Sequence, residues 1–141
     1  LAVATAIALA KNHGVDVGFC FDRKEVKDHG EGGLFVGQKL EDGDKVCIIE
    51  DVMTSGKALR EILPKLEEEA KVDVEAMIIS VDRQEKGTGE KSAVREAFDE
   101  FGIKVYSIVT MEDIIAAIEE GVIEGREYLA AMKAYRAEYG A

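Results

Sequence analysis

Two adjacent carboxylates followed by a loop of small residues are the part of this sequence best suited to chemistry. Glu50 and Asp51 end an apolar run (KVCIIE), and residues 52–58 (VMTSGKA) lead into a helical pattern. Carboxylates at the end of a buried strand are stable only when hydroxyls, amides or a cation compensate their charge. The pair therefore predicts a ligand that carries several hydroxyl groups or a metal ion.

The loop after the two acids predicts a cradle for phosphate. Its backbone amides, the positive end of the following helix and the hydroxyls of Thr54 and Ser55 all favour an anion, and Gly56 allows close approach. Together the acids and the cradle suit a ribose 5-phosphate. The alternative is a strand-end turn in which Thr54 or Ser55 only caps the helix. A nucleotide-binding P-loop is disfavoured because Asp51 replaces its first glycine and Ala58 replaces its Ser or Thr.

Strand and helix patterns alternate along the chain and would position these residues. Helices are predicted at 1–12, 57–70, 92–101 and 111–120, and strands at 16–22, 45–50, 75–82 and 104–110. We expect the first helix and the 45–50 strand to be buried, and residues 23–44 to form a long mobile loop with a strand pair near 34–40. Pro64 predicts a kink or a later helix start. The alternation predicts an α/β fold, one domain over 1–141 with a doubly wound parallel sheet and helices on both faces.

The composition narrows the possible functions. The 141 residues are 47% hydrophobic and 33% charged with a net charge of -11, which indicates a globular protein and argues against nucleic acid as a partner. The basic residues Arg23, Lys24 and Lys27 stand out and favour a small anionic ligand. No apolar run is long enough to span a membrane, and Cys20 and Cys47 lie in runs typical of buried, unpaired thiols, so we expect a cytoplasmic protein. The cysteines and histidines lack zinc-site spacing.

Four segments resemble a known family. IIEDVMTSGKA at 48–58 resembles the motif that binds phosphoribosyl pyrophosphate (PRPP) in type I phosphoribosyltransferases, with two apolar residues, two acids and a TxG loop. RKEVKDHGEGG at 23–33, DRQEKGTGE at 82–90 and AAMKAYRAEYG at 130–140 resemble the orotate-specific members in particular. The resemblance implies transfer of ribose 5-phosphate from PRPP to orotate, giving orotidine 5-monophosphate and pyrophosphate in pyrimidine biosynthesis, with Mg²⁺ as cofactor.

The resemblance also implies roles for individual residues. Lys27 and Asp51 would be catalytic, and Thr54 and Arg83 would contact orotate. Glu50 and Asp51 would hold the ribose hydroxyls and, through PRPP, the Mg²⁺ ion; Glu50 departs from the aspartate more usual in the family. The basic residues would close over the pyrophosphate of a neighbouring subunit, which implies a homodimer. The whole PRPP site would comprise Arg23, Lys24, Lys27, His29, Glu50, Asp51, Val52, Met53, Thr54, Ser55, Gly56, Lys57 and Ala58.

Three further expectations follow from the sequence. Leu1 begins a helical pattern with no capping residue before it, which predicts that the chain lacks an N-terminal part, in the family a hood over the orotate. Tyr128, Tyr135 and Tyr139 have helical spacing and are interpreted as packing or interface residues. Two rival functions are a PRPP-sensing domain without turnover, which has little need of the basic cluster, and a signalling receiver domain, which needs a lysine where the strand 104–110 ends in SIVT.

Overall fold

The helices and strands follow the predicted alternation. The computed structural model describes residues 1–27 and 33–141, without the side chains of 24–27. The chain divides into two compact units, the first comprising Leu1–Lys45 and Leu63–Asp73, and the second Val46–Ile62 and Val74–Ala141. The elements are α1 (Ala2–His13), β1 (Cys20–Lys27), β2 (Gly33–Gly37), β3 (Lys45–Val52), α2 (Lys57–Glu69), β4 (Asp73–Asp82), α3 (Ala93–Phe101), β5 (Lys104–Thr110), α4 (Met111–Glu119) and α5 (Leu129–Tyr139).

The first unit contains α1 and an antiparallel hairpin. α1 ends where Gly14 adopts a left-handed conformation, as the sequence predicts. The prediction that α1 is buried was wrong, because only Ala6 is buried and Ile7 is 60% exposed. The 16–22 strand was also misplaced, since β1 begins at Cys20 and runs to Lys27. Pairing with β2 extends the backbone through residues that a charge-rich sequence marks as loop.

The second unit is built on a three-stranded sheet in the order β3-β4-β5. β4 and β5 are parallel, with partners from Ala76 and Lys104 to Asp82 and Thr110. The central strand carries the core, since the side chains of Met77 and Ile79 are completely buried. This is the predicted α/β class, a parallel sheet flanked by helices. The prediction of a single domain stays a prediction.

The strand that leads to the two acids is more exposed than predicted. None of the residues from Lys45 to Val52 is buried, and Cys47 is exposed while Cys20 is half-buried. β3 lies at an edge of the described sheet, so it has a strand neighbour on one side only. The expectation of a strand covered on both faces, with a buried Cys47 thiol, was therefore wrong.

α3 and the helices around it have well-defined ends. Ser92 accepts a hydrogen bond from the Arg95 amide at the start of α3, and Gly102 ends the helix with φ 71°. Thr110 and Asp113 form a capping box at the start of α4. Pro64 lies inside α2, which begins at Lys57, so the predicted later start was wrong. None of the helices in the described ranges is long and apolar enough to cross a membrane.

Candidate active site

The two acids stand at the end of β3 with their carboxylates partly in use. Glu50 is half-buried and Asp51 is exposed. Glu50 Oε1 accepts a hydrogen bond from the Asp51 amide at 3.1 Å, and Asp51 Oδ1 accepts one from the Val52 amide at 2.6 Å. Each bond turns one carboxylate oxygen back toward the chain and fixes the direction of its group. The sequence argument from burial does not apply to Asp51, whose charge is solvated.

The loop at 52–58 is anchored by one buried side chain, and among its small residues Thr54 is exposed while Gly56 is buried. Met53 is only 3% exposed and fixes the start of the loop in the core of its unit, whereas Thr54 is exposed and Ser55 half-buried. Gly56 has φ 69°, a left-handed conformation that a side chain would strain. Its carbonyl accepts the first helical bond of α2, from the Arg60 amide at 3.1 Å. The sequence prediction of a small-residue loop that opens a helix is confirmed.

Arg60 braces this loop. Its Nη1 donates to the Ser55 carbonyl at 2.5 Å, while Nε donates to Glu100 Oε1 at 3.1 Å and Nη2 pairs with the other oxygen of Glu100. The guanidinium also lies 5.8 Å from the ring centroid of Phe101. The hydrogen bond to Glu100 raises the pKa of Arg60 above its ordinary value, so the guanidinium stays charged.

Arg83 lies just after β4 and is held by a carboxylate that also accepts a hydrogen bond from a tyrosine. Its Nη2 pairs with Glu85 Oε2 at 2.8 Å, and Glu85 Oε1 accepts a hydrogen bond from the Tyr135 hydroxyl at 2.6 Å. Arg83 Nε is buried and has no hydrogen-bond partner within the described residues. A buried donor without an acceptor is costly, which marks this guanidinium as a candidate for an external acceptor.

The turn that follows Arg83 is strained and tied on two sides. Gln84 has φ 56°, which is uncommon for a residue with a side chain and recurs at functional sites. Its amide donates to Asp82 Oδ1 at 2.8 Å, and its side-chain oxygen accepts from the Glu112 amide at the start of α4 at 3.0 Å. The Ala141 amide donates to the Gln84 carbonyl at 3.0 Å. The C-terminal end of the chain therefore helps to shape this turn.

Glu96 on α3 orders the rest of the 83–92 loop. Its carboxylate accepts hydrogen bonds from the amides of Thr88 and Gly89, both at 2.7 Å, and from the Thr88 hydroxyl at 3.0 Å. The amide bond from Thr88, followed by that from Gly89, lowers the pKa of Glu96 below its ordinary value. α3 thus supports both loops, through Glu96 directly and through Glu100 by way of Arg60.

The predicted site residues fall into both units of the structure. Residues 50–58 form one continuous segment of the second unit, which also contains Arg83. Arg23 lies on β1 in the first unit and is half-buried. Lys24 and Lys27 also lie on β1, which replaces that part of the predicted loop. His29 lies outside the described residues, as does the centre of the predicted mobile loop at 28–32.

The fold and the loop first define a class of protein. A parallel α/β sheet in which two acids end a strand and a glycine loop opens the next helix has the architecture of a type I phosphoribosyltransferase. No protein-family model matches the sequence. Individual relatives do match the sequence.

The sequence is similar to curated orotate phosphoribosyltransferases along its whole length. It is 44% identical across the whole chain to the protein of Clostridium botulinum, and 47% identical over 99% of the chain to that of Vibrio cholerae. The chain spans 65% and 64% of the length of these two relatives.

Solved structures agree with the sequence matches. The orotate phosphoribosyltransferase of Francisella tularensis superposes with a TM-score of 0.75 at 32% identity, covering 99% of this chain and 64% of that one. The UMP synthase of Leishmania donovani shares the fold, with a TM-score of 0.71 at 20% identity over 97% of this chain and 27% of that one. By sequence and by structure, the chain is thus similar to orotate phosphoribosyltransferases over about two thirds of their length.

The residues that hold the two loops in place could not be predicted from local sequence. Arg60 and Glu100 are 40 positions apart, and Glu85 and Tyr135 are 50 apart, so no local pattern joins them. One signal was available for Arg60, because a residue four positions after Gly56 lies one helical turn above the loop. Tyr135, interpreted as a packing residue, also donates to the carboxylate that pairs with Arg83.

Proposed function

We propose that the chain is the catalytic part of an orotate phosphoribosyltransferase, which transfers ribose 5-phosphate from PRPP to orotate and releases orotidine 5-monophosphate and pyrophosphate. The observation that carries the proposal is the 44–48% identity to these enzymes over most or all of the chain. The segment 50–58 supports it independently, since two acids and a left-handed glycine at the start of a helix suit a ribose 5-phosphate. We place the reaction in cytoplasmic pyrimidine biosynthesis.

The ribose 5-phosphate would lie along the end of β3 and the 52–58 loop. Glu50 and Asp51 would accept hydrogen bonds from the ribose 2- and 3-hydroxyls with oxygens that the chain does not already use. The segment from Val52 to Ala58 would bind the 5-phosphate through its hydroxyls and through the amides after Val52, because the Val52 amide already donates to Asp51 Oδ1. Met53 would contribute through its backbone only, because its side chain is buried. These contacts orient the sugar for attack at its anomeric carbon and need no protein nucleophile.

The acids also fit a Mg²⁺ ion. Among the described residues no group of three or more His, Cys, Asp or Glu side chains could hold a metal. Two carboxylates with spare oxygens, completed by phosphate oxygens of the substrate, match the way Mg²⁺ is usually bound. When bound, the ion would neutralise charge on the pyrophosphate. Glu50 and Asp51 would hold it together with PRPP.

Orotate would be recognised from the side of Arg83. A guanidinium presents a planar fork that suits a carboxylate, and the buried Nε of Arg83 lacks an acceptor in the described structure. Thr54 would provide a hydroxyl next to the sugar, since its side chain is exposed. Glu85 would keep the guanidinium in a fixed orientation before orotate binds.

The leaving pyrophosphate would be stabilised by the basic residues of the β1–β2 region. Arg23, Lys24, Lys27 and His29 would bring positive charge to the pyrophosphate as its own negative charge develops. The family resemblance on which these roles rest implies that the basic residues serve the site of a second subunit. We therefore propose a homodimer. Lys27 would be the catalytic member of the group.

Calorimetric titration of PRPP tests the ribose-phosphate site. We expect Mg²⁺-dependent binding that weakens at least tenfold, about 1.4 kcal/mol, in Asp51→Asn. Asp16→Asn is the matched control, because it removes the same charge from an exposed residue outside the site. Equal affinities for PRPP in the two variants would contradict the assignment of Asp51.

A second experiment separates the enzyme from a PRPP-sensing domain. If Lys27 acts on the leaving group, Lys27→Ala should abolish turnover of orotate while PRPP still binds. A PRPP-sensing domain would show no turnover before the substitution and the same PRPP affinity after it. Orotidine 5-monophosphate formation, followed by absorbance, gives the first result, and calorimetry gives the second.

A further inference from the structure

The position of Arg60 has a consequence for the direction of one backbone amide. Its Nη1 donates to the Ser55 carbonyl at 2.5 Å, and the peptide that joins Ser55 to Gly56 is trans. In a planar trans peptide the C=O and the N–H point in opposite directions. The Gly56 N–H therefore points away from the guanidinium, to the other face of the loop.

The guanidinium is itself fixed from behind. Glu100 accepts from Nε and from Nη2 of Arg60, which is the two-point geometry that a carboxylate forms with an arginine fork. Phe101 stacks near the same group. The third nitrogen, Nη1, donates to the Ser55 carbonyl in the loop. The side chains of Arg60 and Glu100 are 35% and 44% exposed, so the pair lies at the surface rather than in the core.

We propose that Arg60 is a positioning residue, anchored by Glu100, which turns the Ser55–Gly56 peptide so that the Gly56 amide faces the 5-phosphate of PRPP. The inference rests on the proposed function of the 52–58 loop and adds a residue outside that loop. Arg60 would not touch the substrate. Its effect would pass through the Ser55 carbonyl to the amide on the other side of the same peptide.

The central variant is Arg60→Lys, which keeps the charge and removes the fork. A lysine has a single nitrogen and cannot reproduce the separate bonds to Ser55 and Glu100. Arg95→Lys is the matched control on the neighbouring helix. Arg95 pairs with its own carboxylate, Asp99, at 3.1 Å and lies 5.7 Å from the ring centroid of Phe98. The two arginines thus share partners of the same kind, and only Arg60 contacts the loop.

The first measurement is binding of inorganic phosphate and of PRPP with Mg²⁺, followed through the backbone amide signals of the intact chain by NMR. We expect the Gly56 amide to shift on titration, and both affinities to fall about tenfold in Arg60→Lys and less than twofold in Arg95→Lys. Thermal unfolding should show that both variants stay folded, with the larger change in Arg60→Lys, which loses more bonds. Wild-type affinity in Arg60→Lys, or the same loss in Arg95→Lys, would overturn the proposal.

A second measurement tests the positioning role of Arg60 independently of what the 52–58 loop binds. If the unsubstituted chain binds neither phosphate nor PRPP, the proposed function fails. The positioning role of Arg60 is then tested without ligand, by the NMR order parameter of the Gly56 amide. It should fall in Arg60→Lys and stay constant in Arg95→Lys. An unchanged order parameter in Arg60→Lys would overturn the proposal whatever the loop binds.

Discussion

The loops after β3 and β4 are held in opposite ways. The 52–58 loop consists mainly of small residues and is fixed by one buried side chain, Met53, and one guanidinium, that of Arg60. The 83–92 loop is fixed by many side-chain bonds, three of them to Glu96 alone. In the proposed function the first loop offers its amides after Val52 to an anion, so these amides are not available for internal bonds. The second loop is proposed to orient one arginine, so its own amides can form internal hydrogen bonds.

The two loops nevertheless depend on the same helix. Glu96 and Glu100 lie one turn apart on α3, and each carboxylate supports a different loop. The support for the first loop is indirect, through Arg60, and that for the second is direct. One helix can therefore support the geometry of both loops without contributing a residue to either proposed binding site.

The largest effect is expected from a substitution at Gly56, the left-handed residue of the 52–58 loop. In Gly56→Ala the new side chain would strain a backbone with φ 69° and stand 3.3 Å from Arg60 Nη1. A left-handed residue with a Cβ costs about 1–2 kcal/mol. We therefore expect PRPP affinity to fall about tenfold by calorimetry, because the loop shifts to relieve the strain.

Gly102→Ala is the control for this prediction. Gly102 has φ 71° at the end of α3, and no atom lies within 4 Å of the position that an alanine methyl group would take there. The substitution should lower the free energy of unfolding by a similar amount and leave PRPP affinity unchanged. If both variants lost PRPP affinity equally, the loss would reflect general destabilisation. The prediction that the Gly56 conformation matters for PRPP binding would then be wrong.

An intermediate effect is expected from removing the charge that orders the second loop. Glu96→Gln should speed hydrogen exchange of the Thr88 and Gly89 amides about fivefold, because an amide oxygen is a weaker acceptor than a carboxylate.

The pKa of Glu96 is lowered from 4.5. Its contribution to stability is therefore present above pH 4.5 and lost as pH falls through the lower folded value.

Asp99→Asn is the comparison for Glu96. The pKa of Asp99 is also lowered, first by its hydrogen bond from Lys91, but this carboxylate bonds side chains and no loop amide. Asp99→Asn should weaken the acid dependence of unfolding and leave the exchange of Thr88 and Gly89 unchanged. Faster exchange of these two amides in Asp99→Asn would show that α3 as a whole, rather than Glu96, orders the loop.

The smallest effect is expected at Tyr135, which contacts Arg83 only through Glu85. Tyr135→Phe removes the hydrogen bond to Glu85 and keeps the ion pair with Arg83, so we expect orotate affinity to fall only two- to threefold in calorimetry. The bond from Tyr135 to Glu85 raises the pKa of the tyrosine above 10.0. Its contribution is present below pH 10 and lost as pH rises through the higher folded value.

Tyr139→Phe tests whether that effect belongs to the hydroxyl of Tyr135. The two rings lie 4.7 Å apart, and either substitution keeps this ring contact. Only Tyr135 bonds Glu85, so Tyr139→Phe should leave orotate affinity unchanged. A loss of the same size in both variants would place the effect in the packing of α5.

Much of the fold could be predicted from local patterns. The β5 strand was predicted with its observed ends, and α2, α3 and α4 within one residue of theirs, because their apolar residues follow strand or helix periodicity in the sequence. The hairpin of β1 and β2 was predicted only in part, by the strand at 16–22 and the strand pair near 34–40. Its residues are charged and glycine-rich, and their extended conformation comes from cross-strand pairing rather than from local preference.

The sequence by itself determined the chemistry of the first loop, since two acids and TSG between a strand and a helix are adjacent in the chain. Tertiary structure alone decided how that loop and Arg83 are held. The contacts of Arg60 with Glu100 and of Tyr135 with Glu85 join residues 40 and 50 positions apart. The exposure of β3 was likewise decided by its place at the edge of the sheet. Local sequence fixes backbone preference and side-chain chemistry, whereas burial and long-range pairing depend on where the whole chain places each element.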